Sequence, residues 1–191
     1  MGPMSKIALL RPAAPQLSEY ILALHREWSP NTVTPEKTAQ EHLKLIASDR
    51  AAFLASLDDP DAKGVPVELP DGSRVPRLPG FTRWIWDGAF CGSINLRWQR
   101  GTSALPPHVP GHIGYSIVPW KRGAGYAKCA LKLLLPEARK LGLPYVELTT
   151  DPGNIASQRV IAAAGGELVE RFRKAAAYGE AEGLRFRITL S

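Results

Sequence analysis

The chain is poor in sulfur. Two cysteines, Cys91 and Cys129, stand among 191 residues, too few for a disulfide framework, so burial rather than covalent staples must hold the fold. Long apolar runs are missing as well. No stretch approaches the roughly 20 residues that cross a bilayer, and "MGPMSKIALLRPAAP" lacks the extended apolar core and small-residue cleavage site of a secretory leader. There is no internal repeat and no low-complexity segment. The four histidines, His25, His42, His108 and His112, are scattered without metal-ligand spacing. Together these absences point to a reduced, soluble, cytoplasmic protein without a metal or a membrane partner. A chain of this length suits one domain, residues 1–191, which buries about 70% of the surface its unfolded form exposes.

Positive charge is abundant. Lys and Arg number 24 against 18 Asp and Glu, a formal net charge of +6, which favours an anionic partner such as nucleic acid, an acidic surface or a polyphosphate ligand.

Periodicity supplies the elements. "KIALLRPAAP" reads as a short strand, and Tyr20, Ile21, Leu24 and Trp28 fall at helical spacing. "TPEKTAQEHLKLIASD" opens with threonine, proline and glutamate, a good helix start. The Pro, Gly and Asp of "LDDPDAKGVPVELPDGSRVPRLPG" predict an ordered loop or hairpin around "PDGS". "FTRWIWDG" and "AFCGSINLRWQ" are aromatic and β-branched strands joined by "DG", which predicts an antiparallel hairpin with Trp84 and Trp86 on one face. "GHIGYSIVP" is a strand. In the following helix Ala127, Ala130, Leu131, Leu134, Leu135, Ala138 and Leu141 form one stripe, and Pro136 is expected to kink it. "YVELTTD", "NIASQRVIAAAGG", "GELVERF" and "LRFRITL" read as strand, helix and two strands. The outcome is an α/β (α+β) fold, with a mixed, mostly antiparallel central sheet of about six or seven strands flanked by about four helices.

"VPWKRGAGYA", residues 118–127, lies where strand gives way to helix. The first helical N–H groups lack partners there, Gly123 and Gly125 admit close approach to the backbone, and Lys121 and Arg122 add charge. This is a seat for a diphosphate. A P-loop would need lysine and a hydroxyl residue after the last glycine, where Tyr126 and Ala127 stand, and a dinucleotide fingerprint would need a small residue at Lys128.

Arg122-x-x-Gly125-x-Ala127 resembles the R/Q-x-x-G-x-G/A signature of the GNAT superfamily of N-acetyltransferases. "GHIGYSIVPWKRGAGYAKCALKLLL" looks like that family's central strand, loop and helix, and "YVELTTDPGNIASQRVIAAAGGEL" like its next strand and N-x-x-S helix. Residues 82–172 carry the resemblance. The N-terminal third matches only in its strand–helix–helix order. The resemblance implies that Lys121, Arg122, Gly123, Ala124, Gly125, Tyr126 and Ala127 hold the pyrophosphate of acetyl-CoA. It also implies that Ile117 and Val118 offer backbone groups to the pantetheine arm and an N–H to the thioester oxygen, and that Asn154 bonds the pantetheine amides, although asparagine before a helix is itself a good cap.

Acetyl transfer needs a neutral amine, and an amine of pKa about 10.4 is neutral only about once in 2,500 molecules at pH 7. His112 stands where many family members carry a glutamate base, and His108 in the proline-rich loop could serve instead. Where many members have a tyrosine acid, this chain has Ile161. Ser157, in the N-x-x-S form that resembles ribosomal-protein acetyltransferases, is the expected proton source, with Tyr115 and Tyr126 as weaker candidates. Cys91 and Cys129 have no histidine near them in sequence and read as packing. Trp28, Trp84, Trp86 and Trp98, with Arg97 and Arg100, line either an acceptor site or a core, and loops 58–80 and 100–110 are where acceptor specificity would vary.

The expected function is direct transfer of acetyl from acetyl-CoA to a primary amine of a small molecule or a protein terminus. Glu19, Glu27 or Asp87 would have to form an acidic pocket for a polycationic acceptor. A non-catalytic coenzyme A-binding regulatory domain is the alternative, suggested by Ile161 and His112. A nucleic-acid-binding protein is a weaker one, since charge and aromatic–arginine alternation favour it but no binding motif does. Edge strands leave room for a homodimer.

Overall fold

The computed structural model describes residues 7–190; the reading of Lys6 as the start of the first strand lies outside them. The chain enters through β1 (Ala8–Leu10) and passes into three helices, α1 (Leu17–His25), α2 (Pro35–Ser48) and α3 (Arg50–Ser56). The sequence reading has two helices here. The third arises because Asp49 leaves the helical region and caps a new start, its side chain accepting from Ala52 N–H at 2.9 Å. Two residues, Asp58–Asp59, form β2, and the "PDGS" hairpin is present as β3 (Val67–Glu68) and β4 (Arg74–Val75). Then come β5 (Gly80–Trp86), β6 (Phe90–Arg97) and β7 (Ile113–Ile117). The long helix α4 (Tyr126–Lys140) runs through Pro136 and is followed by β8 (Tyr145–Thr150), α5 (Ile155–Ala162), β9 (Glu167–Arg173) and β10 (Glu182–Thr189).

Every ladder among these strands is antiparallel, and the strands divide into two main sheets. One runs β1-β5-β6-β7 with β2 beside β5, the other β8-β10-β9. Helices cover both faces. Against α4 and α5 lies a core that includes Ile94, Leu96, Ile113, Ile117, Leu131, Leu134, Leu148 and Ile161. Against α1 to α3 lies an aromatic core of Tyr20, Trp28, Phe53, Trp84 and Phe90. Trp84 stacks on Tyr20 at 5.0 Å, and Trp28 meets Phe90 edge-on at 5.0 Å. Burying such a ring is worth about 1.5–3 kcal/mol, so Trp28 and Trp84 are structural, and Trp86 packs against the same cluster. In α4 the stripe Ala130, Leu131, Leu134 and Ala138 is buried as its spacing predicts, whereas Leu141 at the C-cap is exposed.

The gap between the sheets positions the site. Val118 N–H donates to Cys91 O at 3.0 Å, and in the β6–β7 register Gly114 and Ser116 face β6 in the same way. Alternation therefore turns the backbone groups of Ile113, Tyr115 and Ile117 away from β6, toward β8. On β8 the same logic applies from the other side. Leu190 N–H donates to Pro144 O at 2.8 Å, so in register with β10 it is Tyr145, Glu147 and Thr149 that face β7. Among the described residues one backbone hydrogen bond spans the gap, from His112 N–H to Glu147 O at 2.7 Å. Beyond it both edges lie open.

Candidate active site

The open edge of β7 leads straight into the glycine loop. After Val118 a short 3-10 turn, Pro119–Lys121, delivers the chain to Arg122, whose Nε donates back to Ile117 O at 3.2 Å. Gly123 and Gly125 both adopt left-handed backbone, φ +78° and +81°, which side chains rarely tolerate. Open space surrounds both: a Cβ built on either would meet nothing within 4 Å. Gly125 is the N-cap of α4, and the first bond inside the helix is Cys129 N–H to Gly125 O at 3.1 Å. The loop thus offers a cleft at a helix N-terminus, beside an exposed arginine, with room for an anion. A diphosphate fits this arrangement.

The two cations at the rim play different parts. Lys121 Nζ is held on Asp87 Oδ1 at 2.7 Å and lies 3.4 Å from Cys91 Sγ, while Tyr126 OH donates to Asp87 Oδ2 at 2.5 Å. Desolvation raises the Asp87 pKa, but the bonds from Lys121, Tyr126 and Ala89 N–H outweigh it and hold the carboxyl down at about 2. Asp87, at the tip of the β5–β6 hairpin, therefore ties down the residues on both sides of the loop. Burial pushes the Cys91 thiol up to about 11, which makes it inert as a nucleophile at neutral pH.

Ile117 and Val118 divide likewise. Ile117 keeps its backbone on the open edge, whereas the Val118 N–H is spent on Cys91 O and its side chain belongs to the aromatic core. Across the gap from Tyr115, α5 begins at the "NIAS" segment. The Asn154 side chain accepts from Ser157 N–H at 3.1 Å as an N-cap, and the Ser157 hydroxyl pairs with Tyr115 OH at 2.7 Å. Burial raises the Tyr115 pKa, against the hydrogen bond from Ser157, so the pair stays protonated at neutral pH. The Tyr115 partner is a contact over 42 positions, and spacing along the chain carries no sign of it.

His112 is completely buried. Its Nδ1 accepts from Glu147 N–H at 2.9 Å, so backbone and ring together bridge the two sheets. Burial pushes its pKa down to about 4, with Glu147 and the Ser103 backbone opposing and Arg97 assisting. Gly111 permits this joint: a Cβ there would stand 2.9 Å from Glu147 O. Of the acids read as a pocket for cations, Glu19 accepts from Phe90 N–H at 2.6 Å and Asp87 holds Lys121, so both are engaged within the protein.

A second cavity, of about 220 Å³, opens on the helix α1–α3 side of β5 and β6. Asn95, Arg97, His108 and Tyr178 line it, together with the β3–β4 hairpin. Asn95 is paired with Gly114 of β7, and a Cβ at Gly114 would lie 3.4 Å from its amide. The cavity therefore adjoins the strand that borders the gap. Among the described residues no cluster of three His, Cys, Asp or Glu could hold a metal ion, and no helix is long and apolar enough to cross a membrane.

Known proteins share this architecture. The ribosomal L7/L12 alpha-N-protein acetyltransferase RimL, solved with coenzyme A, superposes with a TM-score of 0.63 at 13% identity, over 98% of this chain and 97% of that one. The microcin C7 self-immunity acetyltransferase MccE, in complex with acetyl-CoA and AMP, gives 0.59 at 15% identity over 96% and 92%. RimJ of Mycobacterium smegmatis, in complex with a CoA-disulfide, gives 0.57 at 19% over 98% and 83%. At these identities the likeness is one of fold. No curated protein sequence matches the chain. The family assignment rests instead on the acetyltransferase (GNAT) domain, whose model matches residues 9–167. That span takes in β7, the glycine loop, α4 and the capped start of α5, and the chain belongs to this family as an acyltransferase.

Proposed function

We propose that this chain transfers acetyl from acetyl-CoA to a primary amine. One observation carries the reading: the left-handed glycine loop at the start of α4 continues directly into an open strand edge, a diphosphate seat joined to a slot for an extended amide-bearing arm. Gly123, Ala124, Gly125, Ala127 and the Arg122 side chain would hold the phosphates. Lys121 and Tyr126 support the loop through Asp87. Asn154 shapes the far wall as the cap of α5.

Acetyl-CoA supplies a thioester carbonyl. The backbone N–H of Ile117, on the open edge, is placed to donate to the oxygen that gains charge. The amine nitrogen forms its bond to the acyl carbon, the carbon–sulfur bond breaks, and the departing thiolate takes a proton from the Ser157–Tyr115 hydroxyl pair. The proton lost by the amine passes to His108, which lines the cavity, or to water. His112 is assigned to the joint between the sheets, since its Nδ1 is occupied and its ring is buried.

Saturating acetyl-CoA tests the seat. At a hundred times its Kd it adds about 2.7 kcal/mol of stability, a rise in Tm of about 5–10 °C. The shift is expected to vanish in Arg122→Glu, and its persistence there would remove the loop from the reading. Release of free thiol with a panel of amines then measures transfer. Ser157→Ala is expected to lower kcat, and His108→Ala to lower kcat/KM; unchanged rates would discard these two roles.

A further inference from the structure

The cavity beside Asn95 contains a cation without a counter-ion. Arg97 projects from β6 onto the same face as Asn95, and its Nε donates to Gly111 O at 2.6 Å. Its two terminal nitrogens make no hydrogen bond among the described residues, and no carboxylate there comes within 4.0 Å. The cavity's other arginine differs. Arg77 donates to Val65 O at 3.0 Å and stands 4.0 Å from Asp59, whose carboxylate also accepts from Lys63 and Gly64 N–H at 2.8 Å. Arg77 and Asp59 therefore balance each other at the wall, which leaves one net charge at Arg97.

Holding a half-buried guanidinium without a counter-ion is costly. Desolvation weakens the hold of Arg97 on its proton, and Tyr178 opposes that only in part. A cationic acceptor group would make matters worse, while an anion with two oxygens would meet the planar fork of Nη1 and Nη2. Resting on the acetyl-transfer reading above, we propose that the amine acceptor carries an oxyanion, a carboxylate or a phosphate, which seats on Arg97 in this cavity. The amine end then lies toward Asn95 and Gly114, next to the edge of β7. Tyr178 and His108, which also line the cavity, bring no negative charge against such a group.

The test compares acceptors that differ by the anion alone: glycine against glycinamide, and phosphoethanolamine against ethanolamine. In the wild type, kcat/KM for one anionic member is expected to exceed that of its neutral partner by about tenfold or more, the scale of a charge-assisted hydrogen bond. The pair that shows the gap tells carboxylate from phosphate. In Arg97→Gln that ratio collapses toward one, and in Arg97→Lys it is partly kept. The acetyl-CoA-dependent rise in Tm reports that each variant is folded. Equal rates within both pairs in an active wild type, or a ratio that survives in Arg97→Gln, would overturn the proposal and leave acetyl transfer standing. A separate arm reads the seat without turnover: with coenzyme A present, N-acetylglycine or N-acetylphosphoethanolamine should raise Tm where N-acetylglycinamide does not. That difference should be lost in Arg97→Gln. If no amine is acetylated yet this difference holds, transfer fails and the anion seat survives; if it is absent, the seat falls too.

Discussion

His112 shows how a residue's chemistry can be legible while its setting is not. Its place at the head of β7 follows from the "GHIGYSIVP" pattern, and a histidine there suits a base. The ring's burial depends on Gly111 and on a strand 35 positions away, which local spacing cannot display. The consequence is measurable in acid. The folded protein keeps His112 neutral down to about pH 4, whereas the unfolded chain binds a proton below about 6.5. Its stabilisation is therefore complete above about pH 6.5 and is lost as the pH falls toward 4, by up to about 1.4 kcal/mol per pH unit. Half-buried His42, bonded to Tyr20 OH at 2.7 Å and also pushed down to about 4, adds to the same slope. Chemical denaturation of the wild type between pH 7.5 and 4.5 should show this loss. His112→Gln should be less stable at pH 7.5 and fall less steeply; a slope equal to the wild type's would deny His112 its part.

At the scale of elements, the β5–β6 hairpin and the glycine loop act as one unit. The "DG" turn and the loop motif are each readable from residue type, but the tie between them is a tertiary one, Asp87 to Lys121 and Tyr126. Lys121, read from the sequence as a phosphate ligand, is paired with Asp87 in this tie. Asp87→Asn removes the anion and leaves Lys121 without its counter-ion, at a cost of about 1–3 kcal/mol. Because the lesion loosens the cradle rather than the reacting centre, KM for acetyl-CoA should rise about tenfold with kcat changed less. A steady-state titration of acetyl-CoA decides it. A fall in kcat at constant KM would place Asp87 in the chemistry rather than under the loop.

Across the whole molecule, the order of strands and helices was readable because periodicity and turn residues are local signals. The third N-terminal helix, produced by the Asp49 cap, and the division of the strands into two sheets were not, since strand pairing is a contact between distant residues. Tyr115, Ser157 and Arg97 were each named from the sequence, but the hydroxyl pairing of the first two and the cavity around the third were not legible, for the same reason. That division also leaves a signature in heavy water. The amides of Tyr115 and Ile117 point into the gap, while those of Gly114 and Ser116 are locked onto β6. Deuterium uptake along β7 should therefore alternate, fast at odd positions and slow at even ones. On the proposed reading acetyl-CoA lies in the slot as a strand would, and it should then flatten that alternation by protecting the fast set, a readout of occupancy that needs no acceptor.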